Sequence, residues 1–351
     1  MKKLIIFLAL CLVLAACSQS NENKAQSNDK KETVKIKQKY ELRGKYKDGR
    51  DAENKEEEVT VPKNPQKIVT FDYGAADIIK SLGKENSVAG ISIGSSTSML
   101  PEELKNFTDD KYKNVGELGK PNFEKIAEID PDLIIFSNRT ASSETLKEFK
   151  KAAPDAALVY IGSDDNNVVK SVNDNTKKLG KILNKEDKAT ELTNQLTNEE
   201  TKAKNQAKKV DDSIMLLLVS QGELSTYGPG GRFGGLLYDQ LGFKPADKDI
   251  KPNPHGQPVS FEYVSSKKPE VIFAMDRDEA TDGKRTSEKV LSNDVLKNVP
   301  AVKDDNIINL DAKSWYFSSG GIKSTIKQIQ EIQNIAKKLQ EIQNIAKKLQ
   351  E

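Results

Sequence analysis

Three hydrophobic rhythms follow one another along the chain. Between residues 34 and 61 apolar and polar positions take turns, as in Val34-Lys35-Ile36 and Val59-Thr60-Val61, with Asp48-Gly49 between them. A period of two predicts an N-terminal hairpin or edge strands. From Lys67 the strands read instead as short, unbroken apolar runs: Lys67 to Phe71, Val88 to Ile91, Leu133 to Phe136 and Ala157 to Ile161. Helical stretches separate them: one opens at Gly74 and stops at Leu82-Gly83, one runs from Asn122 to Asp130-Pro131, and one covers 144–152. Strands without alternation, interleaved with helices, predict a mainly parallel sheet covered on both faces. Ligands of such sheets bind at the carboxyl ends of the strands.

The third rhythm fills residues 166–209, charged and helix-forming, without proline and with Gly180 as its one breaker. A sparse apolar stripe (Val168, Val169, Val172, Leu179, Ile182, Leu183, Leu192, Leu196) predicts a linking helix that acts as a rigid strut. Beyond it, Ile214–Val219 reads as a strand and Gly228-Pro229-Gly230-Gly231-Arg232-Phe233-Gly234-Gly235 as a glycine-rich approach to a helix ending at Leu241-Gly242. Glycines there would let backbone amides approach a ligand. The segment lacks the Gly-Lys-Ser/Thr ending of a phosphate loop, so a nucleotide reading is weak. Ile307–Leu310 is a last short strand, followed by a loop around Trp315-Tyr316 and a C-terminal helix.

That helix contains a perfect tandem copy, EIQNIAKKLQ at 331–340 and again at 341–350. Ten residues do not match whole helical turns, so the stripe of Ile332, Ile335, Leu339, Ile342, Ile345 and Leu349 winds around the axis. The second copy is expected to protrude as an exposed or frayed extension.

A second repetition lies deeper. Phe123-Glu124-x-Ile126 is followed after four residues by Pro131-Asp132-Leu133-Ile134, and 138 residues later Phe261-Glu262-x-Val264 precedes Pro269-Glu270-Val271-Ile272 at the same spacing. Each copy places an arginine eight residues after its proline, Arg139 and Arg277. Two related halves suggest two lobes facing each other across an anion-binding cleft.

The N-terminus decides where these lobes reside. Lys2-Lys3, an apolar run from Leu4 to Leu14 and Ala15-Ala16 before Cys17 form a signal peptide too short to span a membrane. Leu14-Ala15-Ala16-Cys17 resembles a bacterial lipobox, which implies cleavage before Cys17 and lipidation of its sulfur. Cys11 leaves with the signal peptide, so no cysteine remains for a disulfide. The expected organisation is a signal peptide at 1–16, a flexible tether at 17–33, an N-terminal lobe at 34–165, the linking helix at 166–209, a C-terminal lobe at 210–330 and the helical tandem repeat at 331–351. Its predicted location is the extracellular face of a cell membrane.

With 55 basic and 53 acidic residues, the net charge of +2 gives no general attraction for nucleic acid. Only six of the basic residues are arginine: Arg43, Arg50, Arg139, Arg232, Arg277 and Arg285. In a chain that uses lysine for surface charge, arginines at repeat-equivalent positions suggest sites that need the planar guanidinium. The plain alternative is that they pair with nearby carboxylates such as Asp276 or Asp278. His255 is the one histidine, in Asn253-Pro254-His255-Gly256-Gln257-Pro258, and Tyr316 stands beside the one tryptophan, Trp315. Imidazole and phenol suit a ferric ion, and three arginines suit a multiply charged anion. One histidine cannot build a bare divalent-metal site. No Gly-x-Ser-x-Gly elbow and no mature cysteine nucleophile is present, so an enzyme is not expected.

The segments VPKNPQKIV, YGPGGRFGG, PHGQPVSFEYV and SWYFSSGG, spread over the whole mature chain, resemble the siderophore-binding lipoproteins that serve ABC iron importers, of the bilobed, helix-backbone class III. Within these the likeness is greatest to the Sst-type receptors for ferric catecholates and catecholamine-iron, with petrobactin receptors somewhat further off. The resemblance implies a periplasmic-binding-protein-like α/β fold and a cleft in which Arg139, Arg232 and Arg277 neutralise an Fe3+-catecholate complex. It implies that His255 and Tyr316 complete iron coordination, that Trp315 lies among the ligand-binding residues, and that Glu124 and Glu262 dock on the permease. Expected partners are the ferric ligand, the ABC permease with its ATPase, and the membrane through the Cys17 lipid of a Gram-positive cell; the protein is expected to be a monomer with no intrinsic cofactor. A haem or hydroxamate receptor of the same fold is the first alternative, and a surface hydrolase or adhesin a distant one. The tandem decamer departs from the family pattern.

Overall fold

The computed structural model describes residues 32–44, 51–94, 100–253, 255–317 and 320–350. The signal peptide, Cys17, the tether up to residue 31 and the Asp48-Gly49 turn lie outside the described residues.

Strands β1 (Thr33–Leu42) and β2 (Glu53–Pro62) form the expected antiparallel hairpin, in register from Thr33 opposite Pro62 to Leu42 opposite Glu53. Alternate side chains of β1 are buried, Val34, Ile36, Tyr40 and Leu42, as a half-covered ribbon requires. Gln38 is also on the inner face, where its Oε1 accepts from the Tyr160 N–H at 2.8 Å.

The N-terminal lobe then runs β3 (Ile68–Thr70), α1 (Tyr73–Ser81), β4 (Val88–Ile91), β5 (Lys113–Asn114), a small hairpin β6 (Gly116–Glu117) and β7 (Lys120–Pro121), α2 (Phe123–Ile129), β8 (Leu133–Phe136), α3 (Ser143–Ala152) and β9 (Ala157–Tyr160). Its sheet is parallel throughout, in the order β5-β4-β3-β8-β9. All four residues of β8 are buried, which explains their unbroken apolar run.

Where one linking helix was expected over 166–209, the structure has two, α4 (Val168–Ile182) and α5 (Glu186–Ala207). The break is a Schellman turn: Asn184 takes the left-handed conformation at φ 56° and the Lys185 N–H bonds the Gly180 carbonyl at 2.8 Å. Gly180 has a further role. A Cβ there would lie 2.5 Å from the Ala189 Cβ, so its bare backbone lets α4 and α5 approach closely. Helix α4 is fastened to the N-terminal lobe, with Lys178 Nζ on the Tyr160 carbonyl at 3.1 Å.

The C-terminal lobe contains β10 (Ser213–Ser220), β11 (Glu223–Tyr227), β12 (Lys244–Pro245), β13 (Gln257–Val259), α6 (Phe261–Lys267), β14 (Val271–Asp276), α7 (Arg277–Asp282), α8 (Ser287–Leu291), α9 (Pro300–Lys303), β15 (Ile307–Asn309) and α10 (Ala312–Phe317). The sheet order is β13-β11-β10-β14-β15, with β12 also on β10. Here β11 and β13 are antiparallel, so this lobe mixes directions where the first does not.

The last helix, α11 (Ile322–Gln350), crosses the boundary expected at 330 without interruption and returns to the N-terminal lobe. Asp77 on α1 accepts from the Ser324 N–H at 2.8 Å and its hydroxyl at 3.0 Å. Further along, Gln206 of α5 donates to Gln340 at 2.7 Å. One apolar cluster runs from Val34 through α4, α5 and the C-terminal sheet to Leu339, so the two lobes share a core. No helix among the described residues is long and apolar enough to cross a membrane.

Candidate functional site

The sequence repeat is a structural repeat. Helices α2 and α6 are each capped by a side chain, Asn122 accepting from the Lys125 N–H at 3.0 Å and Ser260 from the Tyr263 N–H at 3.2 Å. Both end on a left-handed residue before proline, Asp130 at φ 50° and Lys268 at φ 49°. The buried strands β8 and β14 then deliver Arg139 and Arg277 to the carboxyl ends of their sheets.

Arg277 opens α7, and its Nε donates to the Tyr316 hydroxyl at 2.9 Å while Nη1 donates to Ser220 Oγ at 3.1 Å. Its hydrogen bond to the Tyr316 hydroxyl raises the Arg277 pKa above the usual guanidinium value. The neighbouring carboxylates are engaged elsewhere. Asp276 caps α7 through the Glu279 N–H and accepts from the Thr286 and Ser287 N–H groups, and Asp278 accepts from the Gln221 N–H and the Thr286 hydroxyl. Simple pairing with Asp276 or Asp278 is therefore not what Arg277 does.

Arg232 reaches the same point from the glycine-rich segment. Its Nη2 donates to the Tyr316 carbonyl at 2.9 Å, and its guanidinium lies 4.4 Å from the Phe233 ring centroid and 5.6 Å from that of Tyr316. Phe233 takes the left-handed conformation at φ 62°, a strained placement for an aromatic residue that puts its ring under the charge. Burial, foremost, and the nearby Arg139 charge push the Arg232 pKa down, against Tyr227, Tyr316 and Asp165. Burial raises the Tyr227 phenol to about 12, and it raises the Asp165 carboxyl, which Arg232 opposes.

Arg139 approaches from the other lobe. It lies in the turn after β8 with its side chain exposed, and Arg43 Nη2 donates to its carbonyl at 2.6 Å. Its charge works against the burial that raises the carboxyl of Asp72, the residue that caps α1 through the Ala75 N–H at 2.8 Å. The charge of Arg139 is near enough to that of Arg232 to oppose it.

Five expectations fare differently. Tyr316 sits on helix α10 where a loop was expected; Asp311 starts that helix by accepting from the Ser314 N–H at 3.0 Å. Trp315, expected to touch ligand, is 1% exposed and turns its indole N–H onto Glu331 at 2.8 Å, away from the cleft. The glycines serve chain packing: a Cβ at Gly235 would lie 2.1 Å from the Asp165 carbonyl oxygen, and one at Gly234 1.9 Å from that of Gly228. At these two positions the bare backbone lets the chain cross itself, and the Gly234 and Gly235 N–H groups bond the Arg232 and Gly231 carbonyls. His255 is exposed on a loop whose Gly256 packs on the Tyr227 ring, and its imidazole bonds no described residue. Glu124 and Glu262 are both exposed in the first turns of α2 and α6.

Sequence reasoning did not single out Tyr227, Phe233, Asp165, Ser220 or Arg43. None has a pattern of its own; each becomes relevant only through the chain segment packed beside it.

The profile of the periplasmic binding protein family matches residues 68–314. The chain belongs to that family. It is 37% identical to the petrobactin-binding protein YclQ of Bacillus subtilis over 337 residues, 95% of this chain and 99% of the relative. The crystal structure of that protein superposes with a TM-score of 0.73 at 36% identity, covering 85% of this chain and 99% of the other. The iron uptake substrate-binding protein PiuA of Streptococcus pneumoniae is 34% identical with a TM-score of 0.71, over 80% and 95% of the two chains. The catecholate-siderophore binding protein VctP of Vibrio cholerae is 26% identical with a TM-score of 0.69, over 84% and 100%. Membership fixes the fold as the mixed α/β binding-protein architecture described above.

Proposed function

We propose that this chain is the lipid-anchored substrate-binding protein of an ABC importer, and that it captures ferric catecholate siderophores or catecholamine-iron complexes for delivery to the permease. One observation carries the reading. Arg232 and Arg277 converge on Tyr316, and neither they nor Arg139 form an ion pair among the described residues, whereas Arg285 in the C-terminal lobe takes Glu279 in a bidentate grip at 2.8 Å. Guanidiniums left unpaired around one cleft call for a multiply charged anion from outside. The names of YclQ, as a petrobactin-binding protein, and VctP, as a catecholate-siderophore binder, support a ligand of this class.

The parts divide the work. Arg232 and Arg277 neutralise charge and present flat cations to catechol rings. Tyr316 keeps a lone pair of its hydroxyl oxygen for iron while it accepts from Arg277. His255, on its exposed loop, supplies a second ligand when the guest leaves positions vacant. Glu124 and Glu262, at matched places on the two lobes, meet the permease. No bond of the guest is broken. The core shared by the lobes limits their closure, so selectivity rests on a largely preformed site.

Titration of the protein with a ferric catecholate, a ferric hydroxamate and haem, followed by visible absorbance, tests the reading. Saturable binding of the catecholate with a charge-transfer band that moves in Tyr316→Phe is expected. Saturable binding of haem alone would overturn it.

A further inference from the structure

We infer that Glu331, acting through Trp315, is the positioning residue for Tyr316, and that Lys327 ties the same helix to the N-terminal lobe. The inference rests on the reading of Tyr316 as a cleft residue. Helix α10 is only six residues long, too short to be stable on its own. What fixes it is one side of α11. Glu331 accepts from the Trp315 indole N–H at 2.8 Å with one oxygen and from the Asp311 N–H at 2.9 Å with the other. Gln328 donates to the Ser314 carbonyl at 2.8 Å. Lys327 donates to Asp311 at 2.9 Å and to Glu103, in the N-terminal lobe, at 2.9 Å.

The next step leads into the cleft. Trp315 is buried with its ring 6.4 Å from that of Phe233, the residue under Arg232. The adjacent residue, Tyr316, receives Arg232 on its carbonyl and Arg277 on its hydroxyl. Both cations are therefore set by where α10 lies. Burial raises the Glu331 carboxyl, against the bonds from Trp315 and Asp311, so this acid is retained at a cost. Its counterpart in the second decamer, Glu341, is exposed. A cavity of about 520 Å³ lined by Glu103, Asp311, Lys327 and Glu331 leaves room for water beside the network.

Two readouts test the inference. The first is affinity for the iron(III) complex of 2,3-dihydroxybenzoate. Glu331→Ala is expected to weaken it about 10-fold and Glu331→Gln, which keeps an acceptor for the indole N–H, to restore most of it. In a Tyr316→Ala background Glu331→Ala should cost clearly less, because the acceptor for Arg277 is already gone and only the carbonyl that receives Arg232 remains to be displaced. An equal cost in both backgrounds, or no cost in the first, overturns the inference. The second readout needs no ligand: 3-fluorotyrosine at position 316 should show a fluorine resonance that shifts or broadens in Glu331→Ala, and an unmoved line also overturns it. A wild-type protein that ignores the ferric probe while the fluorine line still moves refutes the catecholate reading and supports the positioning role. If Glu331→Ala does not fold, Gln328→Ala is measured in both backgrounds by the same criteria.

Discussion

The two copies of the helix-strand-arginine unit begin alike and finish differently. Up to the strand they agree in cap, helix length, left-handed ending and proline. After the strand, Arg277 is half-buried and fixed by Tyr316 and Ser220, while Arg139 is exposed and only its backbone is secured, by Arg43. Local sequence sets the framework, and the neighbours each lobe supplies set how firmly the cation is aimed. In the proposed function the C-terminal lobe supplies a preformed seat for an anion and the N-terminal lobe a cation that adjusts to it.

The strongest way to break this comparison is to empty the preformed seat. Arg232→Ala combined with Arg277→Ala should weaken ferric-catecholate binding at least about 100-fold, since hydrogen bonds from charged groups are worth roughly 1.5–3 kcal/mol each. Fluorescence quenching of Trp315, buried beside the seat, would measure it. Unchanged affinity in this variant would mean that the anion sits elsewhere.

A sharper form compares the equivalent arginines singly. Arg277→Ala should cost about 10-fold or more and Arg139→Ala a few-fold, because an exposed, adjustable side chain spends part of its gain on ordering. The difference should also show in salt. Affinity lost with Arg139 should be the more sensitive to ionic strength, since exposed charges are screened and half-buried ones are screened less. If Arg139→Ala proves the more damaging, the assignment of roles to the lobes is reversed.

Tyr316→Phe is smaller again. It removes the acceptor for Arg277 Nε but keeps the carbonyl that receives Arg232, so a loss of about 5-fold is expected, with a change in the visible band. A band identical in wild type and variant would exclude the phenol from the iron.

What could be read in advance follows the same division. The alternating hairpin, the buried parallel strands and both copies of the repeat were legible because their causes are local: a two-residue period, an apolar run between breakers, Asn122 or Ser260 at a helix start, Pro131 or Pro269 after its end. The break at Asn184 has a local sign, an asparagine after Leu183 where a left-handed helix end is favoured, but the apolar stripe resumes at Leu192 and Leu196 and conceals it. Trp315 was misplaced for a different reason. Its partner Glu331 comes from a helix whose course depends on Asp77 meeting Ser324, a contact 247 residues apart in sequence. The arginines Arg139, Arg232 and Arg277 were legible as candidates from their scarcity and spacing, whereas their difference in burial had no local sign.

The smallest effect is predicted where sequence identity is complete. The decamers at 331–340 and 341–350 are the same ten residues on one helix, yet Ile332, Ile335 and Leu339 are buried while Ile342 and Ile345 are 52% and 59% exposed. The phase of the stripe is not the cause, since a ten-residue step rotates it by less than a third of a turn. The difference lies in what is available to pack against: the first copy runs beside α5, whose last helical residue is Ala207, and Gln206 already meets Gln340 at the end of that copy. Ending the chain after Gln340 should therefore leave the thermal midpoint within about 1 °C and ligand affinity unchanged, because exposed positions contribute within roughly 0.5 kcal/mol. A clear drop in the midpoint, measured at low protein concentration, would show that the second copy stabilises the fold, its Gln343 bond to Asp212 being the contact to examine first. A drop confined to high concentration would identify another copy of the chain as its partner.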